Sequence, residues 1–261
     1  GRSVRGFALA KSDVEAGPCL PFGVVQTNTS GKIAVATRYV PAGTEILREM
    51  PLMLLRMDPS VQGIVQEVAR ALSLLTPLAR GELMALCEAT SASAGLESAL
   101  SCVVLSDDEL PTGVTAADMA KVARILDCNG FVGPTAGEHH DPHADPLSIY
   151  ASGDPGQDVQ GAVYNLCSRF NHSCAPNVSK HFDAAEGLTL RTFCDVARGE
   201  QLTFSYLDYA GLLRPTNHRR EALRQGWGFT CLCSRCTSSA DEMRTFRCPR
   251  CGVGAVVAGP A

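Results

Sequence analysis

The chain has 261 residues, 45% of them apolar and 19% charged, with a net charge of −4 and twelve cysteines. That size and balance describe a globular protein with one large domain or two modest ones. The mild negative charge argues against wholesale binding to a nucleic-acid backbone, which needs a basic face, and leaves room for a cationic peptide partner. No uninterrupted apolar run is long enough to span a membrane as a helix. The opening Gly1-Arg2-Ser3-Val4-Arg5-Gly6 lacks the apolar core of a secretory signal. In a chain of that kind, clustered cysteines point to an intracellular setting and to metal ligands rather than disulfides.

Residues 22–58 read as short strands and turns. Ile33-Ala34-Val35-Ala36 is apolar and ends at a polar step, and Val40-Pro41-Ala42-Gly43-Thr44-Glu45-Ile46-Leu47 is strand, Pro-x-Gly turn and strand. The same shape returns as Val196-Ala197-Arg198-Gly199-Glu200-Gln201-Leu202, which predicts two similarly built hairpins. Residues 59–127 turn helical. Val61, Ile64, Val65, Val68, Leu72 and Leu75 keep a helical period behind the N-cap Ser60. Thr76-Pro77 is a second helix start, and Thr115-Ala116-Ala117-Asp118 opens a third with Met119, Val122, Ala123 and Leu126 inward.

From Gly133 to Gln157 the chain is rich in Pro, Gly, Asp and His and reads as a long loop. Its His139-His140-Asp141-Pro142-His143 invites a metal reading. A helix would be needed to bring ligands four apart onto one face, however, and Pro142 discourages one. Strand signals return with Leu188, Leu190 and Phe193 on one alternating face, then Leu202, Phe204 and Tyr206 on another. A brief helix over Arg219 to Gln225 ends at Gly226. The tail beyond it is short of core residues, so an ion is expected to hold it.

The metal site follows from spacing. Cys231, Cys233 and Cys236 supply three thiolates within six residues, and a closed zinc site wants four ligands in a tetrahedron. Cys174 is the choice for the fourth, because it sits in the polar run Asn171-His172-Ser173-Cys174-Ala175-Pro176-Asn177, which has no core role. Cys248-Pro249-Arg250-Cys251-Gly252 is half of a zinc ribbon; either a later segment or a partner supplies the other pair, or the two thiols stay reduced and metal-free. Cys19, Cys87, Cys102, Cys128, Cys167 and Cys194 read as small buried residues.

The order of Asn171-His172-Ser173-Cys174-x-Pro176-Asn177, then Gly199-Glu200-Gln201-Leu202-Thr203-Phe204-Ser205-Tyr206, then Cys-x-Cys-x-x-Cys resembles SET-domain lysine methyltransferases. Thr37 to Thr44 resembles that family's opening hairpin. Cys128-Asn129-Gly130-Phe131, Tyr164 to Phe170 and the helical insert resemble the SET-and-MYND group. Where that group carries its MYND finger this chain runs from Pro51 into its helices, so it looks like the catalytic half alone.

The resemblance implies an α+β SET fold of short strands with a knot-like crossing. Residues 1–58 would be its N-terminal part, 59–127 a helical insert, 128–210 its C-terminal part and 211–261 a zinc-binding post-SET region. It implies S-adenosylmethionine as cofactor, held by Asn171 and His172 with Asn129, Ser168 and Phe229 nearby, and by Lys32 of the opening strand. The lysine channel would be walled by Phe131, Tyr206 and Trp227, with the Tyr206 hydroxyl where cofactor and channel meet. It implies transfer of methyl to a lysine of a histone or other protein, in nucleus or cytoplasm. One departure stands out: Gly31-Lys32-Ile33-Ala34 puts a β-branched residue where the family has a second glycine. That departure favours a rival, an inactive SET module that binds a peptide or assembles through zinc.

Overall fold

The computed structural model describes residues 20–28, 31–56, 60–88, 110–133, 160–183 and 187–258. The histidine-rich run at 139–143 and most of the loop expected around it lie outside them, as do Cys19 and Cys102.

The chain opens with an antiparallel pair, β1 (Phe22–Thr27) and β2 (Gly31–Ala36). Strand β3 (Glu45–Glu49) and β4 (Met53–Arg56) follow, then helices α1 (Val61–Ser73), α2 (Pro77–Met84) and α3 (Ala116–Asn129). All three helices start where their caps predict: Ser60, Thr76 and Thr115 each accept a backbone N–H from three residues on, and Thr115 with Asp118 completes a capping box. After α3 come β5 (Gly130–Gly133) and β6 (Gln160–Val163), a 3₁₀ turn at Cys167–Arg169, and the two-residue β7 (Asn171–His172). Then follow β8 (Val178–Asp183), β9 (Gly187–Thr192) and β10 (Thr203–Phe204). The C-terminal part holds α4 (Tyr209–Leu212), α5 (Thr216–Trp227), α6 (Ser234–Thr237) and the hairpin β11 (Asp241–Arg247) and β12 (Ala255–Ala258).

Among the described residues the strands make five small sheets, including the antiparallel three-stranded orders β3-β9-β8 and β4-β6-β5. Two cores result. Phe22, Ala34, Ile46, Tyr164, Phe170, Leu188, Leu190, Leu202 and Phe204 bury one another between the first and last strands. The helices build the second: Val65, Val68, Leu72, Leu83, Met119, Val122 and Ile125 pack on Met53, Leu55 and Val163.

The two echoed turns pair with each other. Val40 and Val196 exchange N–H···O bonds of 2.9 Å each, and Gly43 N–H donates to Thr192 O at 2.7 Å. Gly199 N–H donates to Ala36 O at 2.8 Å, the matching bond from the other turn. Thr192 N–H to Thr44 O and Ala36 N–H to Glu200 O, both 2.9 Å, complete the set. Both turns need glycine, since Gly43 and Gly199 share φ of +81°. The repeated peptide thus marks a local two-fold relation that fastens the N-terminal strands to the C-terminal ones.

Four expectations change. Helix α5 runs from Thr216 through Gly226 and stops at Gly228, because Gly228 takes the left-handed conformation (φ 72°) that ends a helix. Phe193 lies beyond the end of β9 and is exposed, unlike Leu188 and Leu190. Cys87 is exposed rather than buried. The tail is not held by an ion alone: Asp241, at the start of β11, is buried between Arg219 and Arg235, at 2.8 Å and 2.7 Å.

Candidate active site and metal centre

Two chain segments cross at the centre of the molecule. Strand β7 lies parallel to β10, pairing Asn171 with Thr203 and His172 with Phe204. Ser173 N–H then donates to Phe204 O at 3.0 Å. Asn177, buried, ties the crossing: its Oδ1 accepts Thr203 N–H at 2.8 Å and its Nδ2 donates to Gln201 O at 2.9 Å. Polar residues populate this stretch because irregular backbone brought together in the interior must be satisfied by side chains.

Cys174, Cys231, Cys233 and Cys236 converge, with all four sulfurs within 4.8 Å of one another. A zinc ion bonded to sulfur at about 2.3 Å sets tetrahedral sulfur–sulfur edges of roughly 3.8 Å, so the donor set and its size fit zinc. Packed together, the thiols titrate apart. Hydrogen bonds with Cys231, Cys233 and Cys236 push Cys174 well up, and those from Cys174, Cys231 and Cys236 pull Cys233 well down. Four thiolates with zinc carry a net charge of −2, and the surroundings answer it. Arg219 Nη2 reaches Cys236 Sγ at 3.6 Å, Arg235 Nη1 bonds Cys174 O at 3.1 Å, and Arg220 bonds the carbonyls of Cys231 and Cys236. Buried arginines are costly unless paired; here Asp241 and the sulfur cluster serve both.

His172 links metal centre to crossing. Its Nδ1 accepts Tyr206 N–H at 2.9 Å, so the proton sits on Nε2, which faces Cys174 Sγ at 3.2 Å. Burial lowers its pKa to about 4, keeping it neutral. Both ring nitrogens are thereby committed inside the protein.

Tyr206 collects the aromatic residues. Its ring centroid lies 5.6 Å from Phe204, 5.5 Å from Trp227, 6.2 Å from Phe229 and 5.4 Å from His172. The hydroxyl donates to Phe170 O at 3.1 Å, and burial holds its pKa well above the ordinary tyrosine value. Phe131 joins through Phe204, at 6.0 Å, and packs edge-on to Tyr164 at 5.4 Å. Trp227 and Phe229 flank Gly228 at the end of α5, so the turn that closes the helix aims both rings at Tyr206.

The remaining expected residues divide. The Asn171 side chain is half-buried and has no partner among the described residues, as suits a group awaiting a polar ligand. Ser168 spends its hydroxyl on Tyr164 O at 2.6 Å, and Asn129 spends its amide nitrogen on Cys87 O and Ile125 O. Lys32 is exposed on β2, while neighbouring Ile33 is buried by the protein and does not project into an open groove. Cys248 and Cys251 sit at the tip of the β11–β12 hairpin. Cys248 N–H bonds Gly254 O at 2.7 Å, and Gly254 N–H points at Cys251 Sγ at 3.3 Å.

Sequence reading missed three features. Lys180, on β8, sets its ammonium 5.3 Å from the Phe204 centroid and 5.8 Å from Phe131. The residue is exposed, yet desolvation of its ammonium lowers the pKa, the combination expected of a group at the rim of a recess. Glu49 accepts the N–H groups of Asn165, Leu166 and Cys167, each at 2.8 Å, and so shapes the turn ahead of Asn171. The Arg219–Asp241–Arg235 triad was the third. Charged residues on inward faces break the apolar periodicity that reveals elements, and only the folded contacts expose their partners.

Comparison with known proteins follows the same outline. The family described as SET domain matches residues 31–207. The histone-lysine N-methyltransferase SET5 of Eremothecium gossypii is 31% identical over 137 residues, which is 52% of this chain and 26% of that protein. Human histone-lysine N-methyltransferase SMYD3 is 41% identical over 80 residues, or 31% of this chain and 18% of the relative. This chain thus matches about a quarter or less of either relative's length. Among solved structures, Rubisco LSMT bound to sinefungin and monomethyllysine aligns over 88% of this chain and 55% of its own, with a TM-score of 0.43 and 15% identity.

Proposed function

The chain belongs to the SET-domain family, and from that premise we propose that it transfers methyl from S-adenosylmethionine to the side-chain amine of a protein lysine. The observation that carries this reading is the aromatic cluster around Tyr206, set against the β7–β10 crossing and backed by the four-cysteine centre. The cofactor supplies an activated methyl group. The unpartnered Asn171 amide beside the crossing, with Phe229 and the main chain around His172, would hold it; Asn129, Ser168 and Lys32 are its outer candidates.

The protein's own part is alignment and drying. A lysine amine attacks only when neutral, and its ordinary pKa is about 10.4. Walls of Phe131, Phe204, Tyr206 and Trp227 strip water from the amine and favour the neutral form, while admitting methylated ammonium by cation–π contact. Tyr206, fixed by its bond to Phe170 O, holds the reacting groups in line. His172 transmits the position of the metal centre to Tyr206, so zinc fixes the wall of the channel.

The substrate is a lysine of a histone or another protein, met in nucleus or cytoplasm. Cys248 and Cys251 form a second half-site for zinc, completed by a pair from outside the described residues. A second reading, an inactive module that binds peptide in the same groove, has one observation in its favour: Lys180 already stands against Phe131 and Phe204. Radiolabelled S-adenosylmethionine with a panel of histones and cytosolic proteins separates them. Incorporation into protein lysine supports the enzyme, and binding of S-adenosylhomocysteine or peptide without any incorporation supports the module.

A further inference from the structure

Strand β8 turns its residues alternately to the core and to solvent. Val178 is buried and Phe182 packs half-buried on the same core, whereas Ser179 and His181 are exposed. Lys180 shares the inward face with Val178 and Phe182, and its partner across the ladder to β9 is the buried Leu190. The register of the strand therefore carries an amine inward.

The residue as a whole is exposed, yet its ammonium stands 5.3 Å from the Phe204 centroid and 5.8 Å from that of Phe131. Those two centroids are 6.0 Å apart, so the amine rests against both rings at once. Phe204 is in turn 5.6 Å from Tyr206 and pairs in register with His172 of the crossing. Among the described residues no carboxylate forms an ion pair with Lys180. Aromatic faces hold an ammonium without the opposite charge that would fix its proton, and desolvation already favours the neutral amine. Phe131 and Phe204 are also the rings that wall the channel for a substrate lysine. A tethered amine thus stands where an incoming one would have to enter, at the high effective concentration that tethering gives.

We propose that Lys180 is a methyl acceptor of its own chain, methylated in cis from S-adenosylmethionine when no substrate lysine fills the channel. This self-methylation presupposes the transferase activity proposed above. The Lys180 ammonium first gives one proton to solvent. The lone pair of the neutral amine then attacks the methyl carbon; the N–C bond forms as the C–S bond breaks, and the sulfonium becomes the neutral thioether of S-adenosylhomocysteine. No electrons are gained or lost by oxidation. The methylated ammonium keeps its charge and gains apolar surface, so the same two rings continue to hold it.

The test uses the full zinc-loaded chain made by cell-free synthesis in an extract freed of methyl donor. It is incubated with S-adenosylmethionine carrying a trideuterated methyl, alone and, in parallel, with a panel of histones and cytosolic proteins. Cleavage at acidic residues releases residues 159–183, whose one lysine is Lys180, and methylation leaves those cuts unaffected. That fragment should gain one heavy methyl in place of one hydrogen, placed on Lys180 by fragmentation, at a rate per chain that does not change with protein concentration. In Lys180→Arg, which keeps the cation, the fragment should gain nothing. Heavy methyl on panel proteins with none on Lys180 overturns self-methylation and leaves the transferase standing. Heavy methyl on neither removes the transferase reading and takes this one with it. A rate per chain that rises with protein concentration makes Lys180 a substrate of neighbouring molecules and overturns the step in cis.

Discussion

Tyr206 and Lys180 face the same aromatic recess and make opposite demands on it. The Tyr206 hydroxyl has one described partner, Phe170 O. Tyr206→Phe removes that bond, which is worth about 1 kcal/mol of stability, and frees the ring to shift by about an ångström. Loss of alignment on that scale costs about 10²-fold in rate, so the variant should fold, keep its zinc and methylate about a hundredfold more slowly in a labelled-cofactor assay. Lys180 is a resident cation where a substrate cation must pass. Like charges about 6 Å apart near a protein surface repel by roughly 1–3 kcal/mol, so Lys180→Met should lower KM for a lysine peptide about tenfold. The variant has a pH signature as well. Burial lowers the folded-state pKa of Lys180 below its unfolded value, so between those two values the unfolded chain binds more protons and wild-type stability rises with pH. Lys180→Met lacks this contribution, and its advantage in melting temperature should shrink as pH rises from 7 towards 10. A constant difference would place Lys180 outside the recess.

At the scale of elements, the echoed turns explain what a sequence shows and what it conceals. Val40-Pro41-Ala42-Gly43 and Val196-Ala197-Arg198-Gly199 were legible as similar hairpins because turn chemistry is local. That they bond to each other was not, since nothing in either peptide records its partner. The helices were legible for the same reason: Ser60, Thr76 and the Thr115–Asp118 box are local signals. Strand β8 was concealed because Lys180 and His181 interrupt its apolar alternation, whereas β10 lies within the alternation of Leu202, Phe204 and Tyr206 that the sequence displays. The paired turns carry their own prediction. Alanine at Gly199 meets a φ of +81°, which costs an L-residue about 1–2 kcal/mol, so Gly199→Ala should lower the melting temperature by about 3–6 °C. Gly43→Ala should cost no more than that, because Gly43 is exposed, its Cβ would meet nothing within 4 Å and only the backbone strain counts, whereas Gly199 is buried. A larger loss at Gly43 than at Gly199 would mean that more than the backbone conformation holds the first turn.

The four-cysteine set was readable across the whole molecule because thiolate spacing states how many ligands are missing, and Cys174 stood in a run with no other use. The Asp241 triad was not, because Arg219, Arg235 and Asp241 look like surface charges until the fold buries them together. The two devices differ in reach. The triad ties α5 and α6 to β11, whereas the sulfur cluster ties α6 to the crossing through Cys174 and on to Tyr206 through His172. Metal removal therefore separates them. Without zinc, four crowded sulfurs lose the cation that lets them share one site, and the Cys174–Cys236 contact of 3.5 Å opens. Trp227 and Phe229 then lose their fixed distance from Tyr206, while the strands between Phe22 and Leu202 keep their core. Extraction with a strong chelator under reducing conditions should red-shift the emission of Trp227, the chain's single tryptophan, and expose residues 211–240 to protease. Far-ultraviolet circular dichroism should change little, and re-addition of about one zinc per chain should reverse the rest. Emission that stays fixed while all zinc is lost would show that the aromatic wall stands without the metal, and the mechanical link from Cys174 to Tyr206 would have to be abandoned.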